Sequence, residues 1–246
     1  MTILVTRPSP AGEQLVSQLL ASGRPACHTP LIDFSSGRDL PNLPNLLQSL
    51  QSGDYVFLLS RLAVHYANTG LKDNKQPWPD GLTWYAIGRS TALALHAVSG
   101  LKALFPQPKE TSEALLMLPA MHKVNGKNAL LLRGNGGREL LGKKLTARGA
   151  HVICCECYRR NAIDYDGYLQ SRLWQAAGVD TLVVTSGEML QQLYTLVPDD
   201  WRSDWLLRCQ LIVVSDRLAT LARLLGWSTI RVAANADNGA LLRALQ

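Results

Sequence analysis

The chain has 246 residues, 47% of them hydrophobic and 18% charged, with a formal net charge of +6. That length suits two domains of about 120 residues each, and the composition is that of an ordinary globular protein, neither disordered nor membrane-embedded. No run approaches the roughly 18 apolar residues of a membrane span. No basic stretch followed by an apolar signal core opens the chain, so a cytoplasmic protein is expected. Five cysteines in a chain of this size do not make a disulfide framework. The positive charge means either a solvated surface rich in arginine or an anionic partner. The longest basic clusters are pairs, Lys143-Lys144 and Arg159-Arg160. Nucleic acid calls for basic runs along one helix or aromatics interleaved with basic residues, so a small polyanion is the better fit.

In chain order, short apolar runs predict strands near Ile3–Thr6, Ala26–Leu31, Tyr55–Leu59, Trp84–Ile87 and Lys102–Phe105. A second set follows near Ala129–Leu132, Val152–Cys157, Thr181–Thr185, Gln210–Val214 and Thr229–Val232. Amphipathic spacing predicts helices between them, including Ala11–Ser22, Arg89–Val98, Arg138–Arg148, Gly187–Leu196, Arg217–Leu225 and Asn238–Leu245. Ser35 to Pro44 and Asn68 to Thr83, rich in proline, glycine and isolated charges, read as connectors, the second a long surface loop.

The two sets repeat each other at a shift of 126 residues. Leu4 falls on Leu130, Arg7 on Arg133, Glu13 on Glu139, Gly23 on Gly149, Asp54 on Asp180 and Ser60 on Ser186. So many coincidences at one offset, over matching apolar patterns, indicate an internal duplication. Strands alternating with helices at this density imply parallel sheets covered by helices on both faces. Five strands per copy suit a doubly wound, flavodoxin-like α/β sheet.

Ligands of open α/β sheets bind beyond the carboxyl ends of the strands. Those ends read Thr6-Arg7-Pro8, Ser60-Arg61, Gly88-Arg89-Ser90-Thr91, Arg133-Gly134-Asn135-Gly136-Gly137, Thr185-Ser186-Gly187-Glu188 and Ser215-Asp216-Arg217. Each opens a helix, whose free amides and positive dipole end suit carboxylate or phosphate. Helix capping alone explains the hydroxyls, and Thr185 with Glu188 fits a capping box. Capping does not explain the arginine beside nearly every loop.

Other motifs point away from cofactors. Gly134-Asn135-Gly136-Gly137 has Glu139 where the third glycine of a dinucleotide turn belongs, and no triphosphate-binding loop occurs. The loop reads as an anion cradle. Cys154 and Cys157 have CxxC spacing, but on a strand residues three apart face opposite ways, so both read as apolar fillers rather than metal or redox ligands. None of the five histidines has metal or triad spacing, and His96 reads as a surface or half-buried residue. An enzyme with this sequence works without metal, cofactor or covalent triad. Tyr158, closing an apolar strand before Arg159-Arg160, is either an aromatic packed at a sheet edge or a functional hydroxyl.

Six segments in order carry a resemblance. They are LVTRP at Leu4–Pro8, AIGRSTALAL at Ala86–Leu95, LLRGNGGREL at Leu131–Leu140, CECYRR at Cys155–Arg160, VVTSGEMLQQL at Val183–Leu193 and NADNGALLRAL at Asn235–Leu245. End to end, the chain resembles the bacterial uroporphyrinogen-III synthase family, especially its enterobacterial branch. The resemblance implies two flavodoxin-like domains joined by a two-stranded β-ladder. One domain would comprise 1–36 with 164–246, the other 37–163, with the active-site cleft between them. Tandem copies would instead split near residue 126. The two readings agree if each copy leaves its first strand–helix–strand in one domain and its remainder in the other.

The resemblance further implies a cofactor-free lyase. Its substrate, the linear tetrapyrrole hydroxymethylbilane, loses water, inverts its last ring through a spiro intermediate and closes to uroporphyrinogen III. Eight carboxylates on that substrate would give the positive charge a use. Closure without inversion is the easier course, so positioning and electrostatics would supply most of the catalysis. Carried over by position, Tyr158 is the candidate for assisting departure of the hydroxyl. A phenol titrates near pH ~10, so it either donates a hydrogen bond or proton, or only orients water. Thr91 and Ser186 match hydroxyl residues of the family cleft. Ser215-Asp216-Arg217 departs from the Gly-Pro-Thr-Thr loop of some relatives, which puts a hydroxyl role there in doubt. Arg7, Arg133 and Arg138 are expected to meet carboxylates, with Ser60, Gly88, Arg89, Ser90, Gly134, Asn135 and Thr185 around the same ligand. A monomer is expected, with room for transient contact with the preceding pathway enzyme, and neither nucleic acid nor membrane as partner. The alternative to an enzyme is a two-domain binding protein that closes on a small polyanion.

Overall fold

The structure is a computed structural model and describes residues 2–246. In chain order it begins with β1 (Thr2–Val5), α1 (Ala11–Ala21), β2 (Ala26–His28) and β3 (Ile32–Ser36). Next come α2 (Leu43–Gln48), β4 (Tyr55–Leu58), α3 (Arg61–Asp73), β5 (Thr83–Ala86), α4 (Arg89–Ser99) and α5 (Ser112–Leu116). Then follow β6 (Asn128–Gly134), α6 (Leu140–Ala147), β7 (His151–Ala162), α7 (Gly167–Ala176), β8 (Val179–Val183) and α8 (Gly187–Leu196). The chain ends with α9 (Asp199–Asp204), β9 (Gln210–Val213), α10 (Asp216–Leu224), β10 (Ile230–Val232) and α11 (Asn238–Ala244).

Two compact units result: residues up to Asp33 together with Asn161–Gln246, and Phe34–Arg160. The first holds a sheet ordered β10-β9-β8-β1-β2 and the second a sheet ordered β3-β7-β6-β4-β5. The strand pairs β1–β2, β1–β8, β8–β9 and β9–β10 are parallel, as are β4–β5, β4–β6 and β6–β7. Numbered along each unit, the first sheet has the 2-1-3-4-5 order of a flavodoxin-like fold.

The duplication accounts for the pairing. α3 begins at Arg61 and α8 at Gly187, and α5 begins at Ser112 and α11 at Asn238, each pair shifted by 126 residues. Yet β1, from the first copy, pairs with β8 of the second, and β6, from the second, pairs with β4 of the first. The copies have therefore exchanged their first strand–helix–strand. The exchange makes the chain pass between units twice, along β3 and β7, which are neighbours in the second sheet. Ile163 N–H bonds to Leu31 O and Gly37 N–H to Cys157 O, so one strand advances as the other retreats.

Alternate residues of the central strands go to opposite faces, as the period of a strand requires. In the second unit Val56, Leu58, Leu130 and Leu132 pack with Val64, Ala67 and Leu71 of α3. Tyr55, Phe57, Ala129 and Leu131 pack on the other side with Leu115 of α5 and Leu141 and Leu145 of α6. Because both faces are covered, β4 is apolar and buried at all four positions. In the first unit Ile3, Val5, Val183 and Ile212 meet Leu15 and Leu19 of α1 and Leu241 of α11.

Four expectations are corrected. Lys102–Phe105 is not a strand: only Leu104 bridges to β5, giving its amide to Trp84 O and accepting from Ala86 N–H. Asn68 to Thr83 is not all loop, because α3 runs on to Asp73. Gly70, which argues for a loop, lies inside that helix, and glycine stands there because a Cβ would come within 2.9 Å of Leu40 Cδ1. Ser35 to Pro44 is likewise structured, containing the end of β3, a 3-10 turn at Leu40–Asn42 and the start of α2. Finally, Cys154 is exposed rather than a core filler, while Cys155 and Cys157 are buried.

Candidate functional site

In parallel sheets every strand presents its carboxyl end at the same edge, so the helix-opening loops of each unit gather there. In the second unit that edge carries Ser60 before α3, Gly88 before α4, Thr111 before α5 and the 134–139 loop before α6.

Tyr158 lies among them. The ladder between β6 and β7 pairs Arg133 with Glu156 but Gly134 with Tyr158, so Cys157 is an extra residue in a bulge. Bulges re-aim side chains. Here the phenol ring lies against the backbone of Gly134, where an added Cβ would stand 2.6 Å from Tyr158 Cζ. Tyr66 of α3 stacks on the ring at 5.8 Å between centroids, and Phe34 meets it edge-on at 5.9 Å. At its free end, Ser60 Oγ donates to the Tyr158 hydroxyl at 3.2 Å. The same Oγ accepts the amide of Ala63 at 3.0 Å and so caps α3. The half-buried phenol is thus fixed on three sides, with its oxygen at a helix N-terminus.

The glycine loop is held by its own side chains. Arg133 donates to the carbonyls of Gly136 at 2.7 Å, Gly137 at 3.1 Å and Gly134 at 3.3 Å. Asn135 donates to Arg160 O at 3.2 Å and accepts Arg160 N–H at 2.9 Å, engaging both of its amide atoms with β7. Arg138 lies in the loop before α6, outside the helix expected from residue 138, and makes a two-fold ion pair with Glu113. The pair is exposed, and hydrogen bonding to Arg138 holds the Glu113 carboxyl below its ordinary range. Gly88 opens α4 in extended backbone without a side-chain cap, and the carboxylate of Glu110 fills the place a Cβ would take. Arg89 and Ser90 are exposed in the next turn, whereas Thr91 is buried.

The remaining candidates belong to the first unit. Arg7 donates to Asn238 Oδ1 at 2.5 Å, and its carbonyl accepts from His28 Nε2 at 2.8 Å. Ser186 Oγ accepts Met189 N–H at 3.2 Å, so Ser186 caps α8. The expected capping box from Thr185 to Glu188 is corrected by one residue: Thr185 is half-buried just before the cap. Ser215 caps α10 through Leu218 N–H at 3.3 Å. Asp237 caps α11, and the Ala240 amide keeps its carboxyl below the ordinary range.

The structure therefore brings Ser60, Gly134 and Tyr158 together, and joins Arg133 and Asn135 to the same loop. Tyr66, Phe34, Glu110 and Glu113 were not found from sequence. An aromatic on an amphipathic helix reads as core, and partners of exposed arginines carry no local pattern. Among the described residues no group of three or more His, Cys, Asp or Glu side chains could hold a metal ion. Nor is any helix among them long and apolar enough to cross a membrane.

The family model described as HEM4, uroporphyrinogen-III synthase HemD, matches residues 13–243. The chain belongs to the uroporphyrinogen-III synthase family. It is 58% identical over 246 residues, all of both chains, to the uroporphyrinogen-III synthase of Escherichia coli K12, and equally to that of Salmonella typhimurium LT2. The synthase of Proteus mirabilis is 49% identical over 193 residues, which cover 78% of this chain and 97% of that one. Solved structures agree in fold. A mutant uroporphyrinogen III synthase from the extremely thermophilic bacterium Thermus thermophilus gives a TM-score of 0.66 at 19% identity, covering 100% of this chain and 99% of that one. The Helicobacter pylori synthetase gives 0.61 at 15% identity, over 99% and 97%. The synthase family thus accounts for the paired flavodoxin-like sheets.

Proposed function

We propose that this chain is a uroporphyrinogen-III synthase: it closes hydroxymethylbilane with loss of water and inversion of the last ring, and Tyr158 assists the departing hydroxyl. Full-length identity to enzymes of that name supports the reaction. The observation that supports the residue is the fixed phenol of Tyr158, its oxygen at the N-terminus of α3.

The chemistry sets the requirements. A hydroxyl leaves as water only if it gains a proton, and a phenol within hydrogen-bond reach can supply or share one. The carbon left behind is cationic, and the tyrosine oxygen, relieved of its proton, can take back the one released when the ring regains aromaticity. Tyr158 thus acts as acid and then base with no net change.

Eight carboxylates must also be held. Helix N-termini are suited to this by their free amides, and both units present several. In the second unit we assign Gly88, Arg89, Ser90, Thr91 and the 133–138 loop to this task, with Arg138 exchanging Glu113 for a substrate carboxylate. In the first unit we assign Arg7, Thr185, Ser186 and Ser215. Arg133 and Asn135 act by shaping the loop. The enzyme works on a small molecule; we further infer a cytoplasmic monomer in transient contact with the enzyme that supplies the bilane.

Tyr158→Phe tests the assignment. General acid assistance contributes up to about 10²–10⁴-fold, and a phenol that shares the task with water gives less. Turnover should fall roughly tenfold or more with KM little changed. Unchanged turnover would remove Tyr158 from the mechanism.

A further inference from the structure

We infer that Ser60 is a positioning residue for Tyr158, acting through the phenol oxygen rather than on the substrate. The inference rests on the role proposed for Tyr158 and adds the group that makes that phenol effective. A serine hydroxyl has one proton and two lone pairs. Capping α3 needs only a lone pair, and Ser60 gives one to Ala63 N–H at 3.0 Å. The proton is left over, and it goes to the Tyr158 oxygen at 3.2 Å. Accepting this bond directs the phenol's own proton away from Ser60. As that proton is passed on, negative charge grows on an oxygen already facing a donor, which is itself polarised by the positive end of a 13-residue helix.

The other contacts of Tyr158 make this separable from packing. Tyr66, Phe34 and Gly134 hold the ring whether or not residue 60 has a hydroxyl. Removing the hydroxyl should leave the ring in place and take away only the donor. The equivalent serine of the second copy, Ser186, caps α8 in the same way. Capping is therefore common to both copies, and the donation to a tyrosine is the added feature of Ser60.

The test compares Ser60→Gly, Ser60→Thr, Tyr158→Phe and the Ser60→Gly/Tyr158→Phe double variant of the full chain on freshly generated hydroxymethylbilane. Glycine is among the residues best tolerated in place of a serine cap, so the fold should survive, and thermal melts check it. Ser60→Gly should lower kcat about fivefold, the worth of one neutral hydrogen bond, with KM within about twofold of the parent. Ser60→Thr keeps the hydroxyl and should restore kcat. In the Tyr158→Phe background the glycine should add almost nothing, because the two residues act as a unit. A folded Ser60→Gly with parental kcat, a threonine variant no better than the glycine one, or fully multiplicative effects would each overturn the inference. A parent chain giving no excess of the type III isomer would overturn the functional reading and this inference together. A parent that gives the excess alongside an unimpaired Ser60→Gly overturns the inference alone.

Discussion

Gly134 and Tyr158 are paired across β6 and β7 so closely that no side chain fits between them: a Cβ on Gly134 would stand 2.6 Å from Tyr158 Cζ and 3.0 Å from its hydroxyl. Glycine is required here for space, since Gly134 is not among the positions with positive φ. Gly134→Ala should therefore displace the ring without unfolding the strand. Activity should fall at least as far as in Tyr158→Phe, while the thermal midpoint drops by only a few degrees, equivalent to about 1 kcal/mol. An alanine variant with parental activity would show that the phenol need not lie where the structure has it.

Asn135 and Arg160 lock the same loop to β7 through two reciprocal bonds at 3.2 and 2.9 Å. Both bonds are exposed, so Asn135→Ala should cost only about 1 kcal/mol in denaturant unfolding, with an unchanged slope. The sharper readout is hydrogen exchange: the Arg160 amide loses its acceptor and should exchange faster, while the Cys155 amide should not.

Asp54 offers a pH-dependent check on the second unit. Its carboxylate is buried and accepts from Gln51 N–H at 2.8 Å, Asn128 N–H at 3.0 Å and Asn128 Nδ2 at 2.9 Å. Burial pushes its pKa up, but the bonds from Asn128 and Gln51 and the charge of Lys127 outweigh burial and hold it below the ordinary value. A depressed folded pKa means that the stabilisation is complete above the unfolded pKa of about 3.9 and is lost as pH falls through the lower folded value. Asp54→Asn should be clearly less stable than the parent at pH 7, with the gap closing on acidification below about pH 4. A gap of constant size would contradict the assignment.

Much of the fold was legible because a duplication shows itself twice. The 126-residue shift locates strands and helices and aligns Ser60 with Ser186, but it does not mark Ser186 rather than Thr185 as the cap of α8. What it could not show was environment. Asp54 and Asp180 align, yet Asp54 is buried under three hydrogen bonds and Asp180 is exposed. Gly70 looked like a loop residue because its reason, the nearness of Leu40, is thirty positions away in sequence. The segment around Leu104 looked like a strand because its composition is that of one, but a single bridge at the sheet edge is all it forms.

The candidate site was legible in its residue types and less so in their partners. Ser60 and Gly134 are marked out by position at a strand's carboxyl end, and Tyr158 by closing an apolar run before two arginines. That they touch depends on the bulge at Cys157, which shifts the register by one residue and leaves no trace in a hydrophobic pattern. Arg133 and Arg138 read as ligand-binding from their charge and their place beside a strand-end loop. The structure gives the first to loop carbonyls and the second to Glu113.

The central claim is that this chain directs ring closure toward the inverted isomer. Freshly generated hydroxymethylbilane should be incubated with and without the purified protein, oxidised, and the porphyrin isomers separated. The type III isomer should dominate with the protein and the type I isomer without it. An isomer ratio equal to that of the protein-free reaction, from folded protein that still binds the bilane, would contradict the account and leave a binding protein in its place.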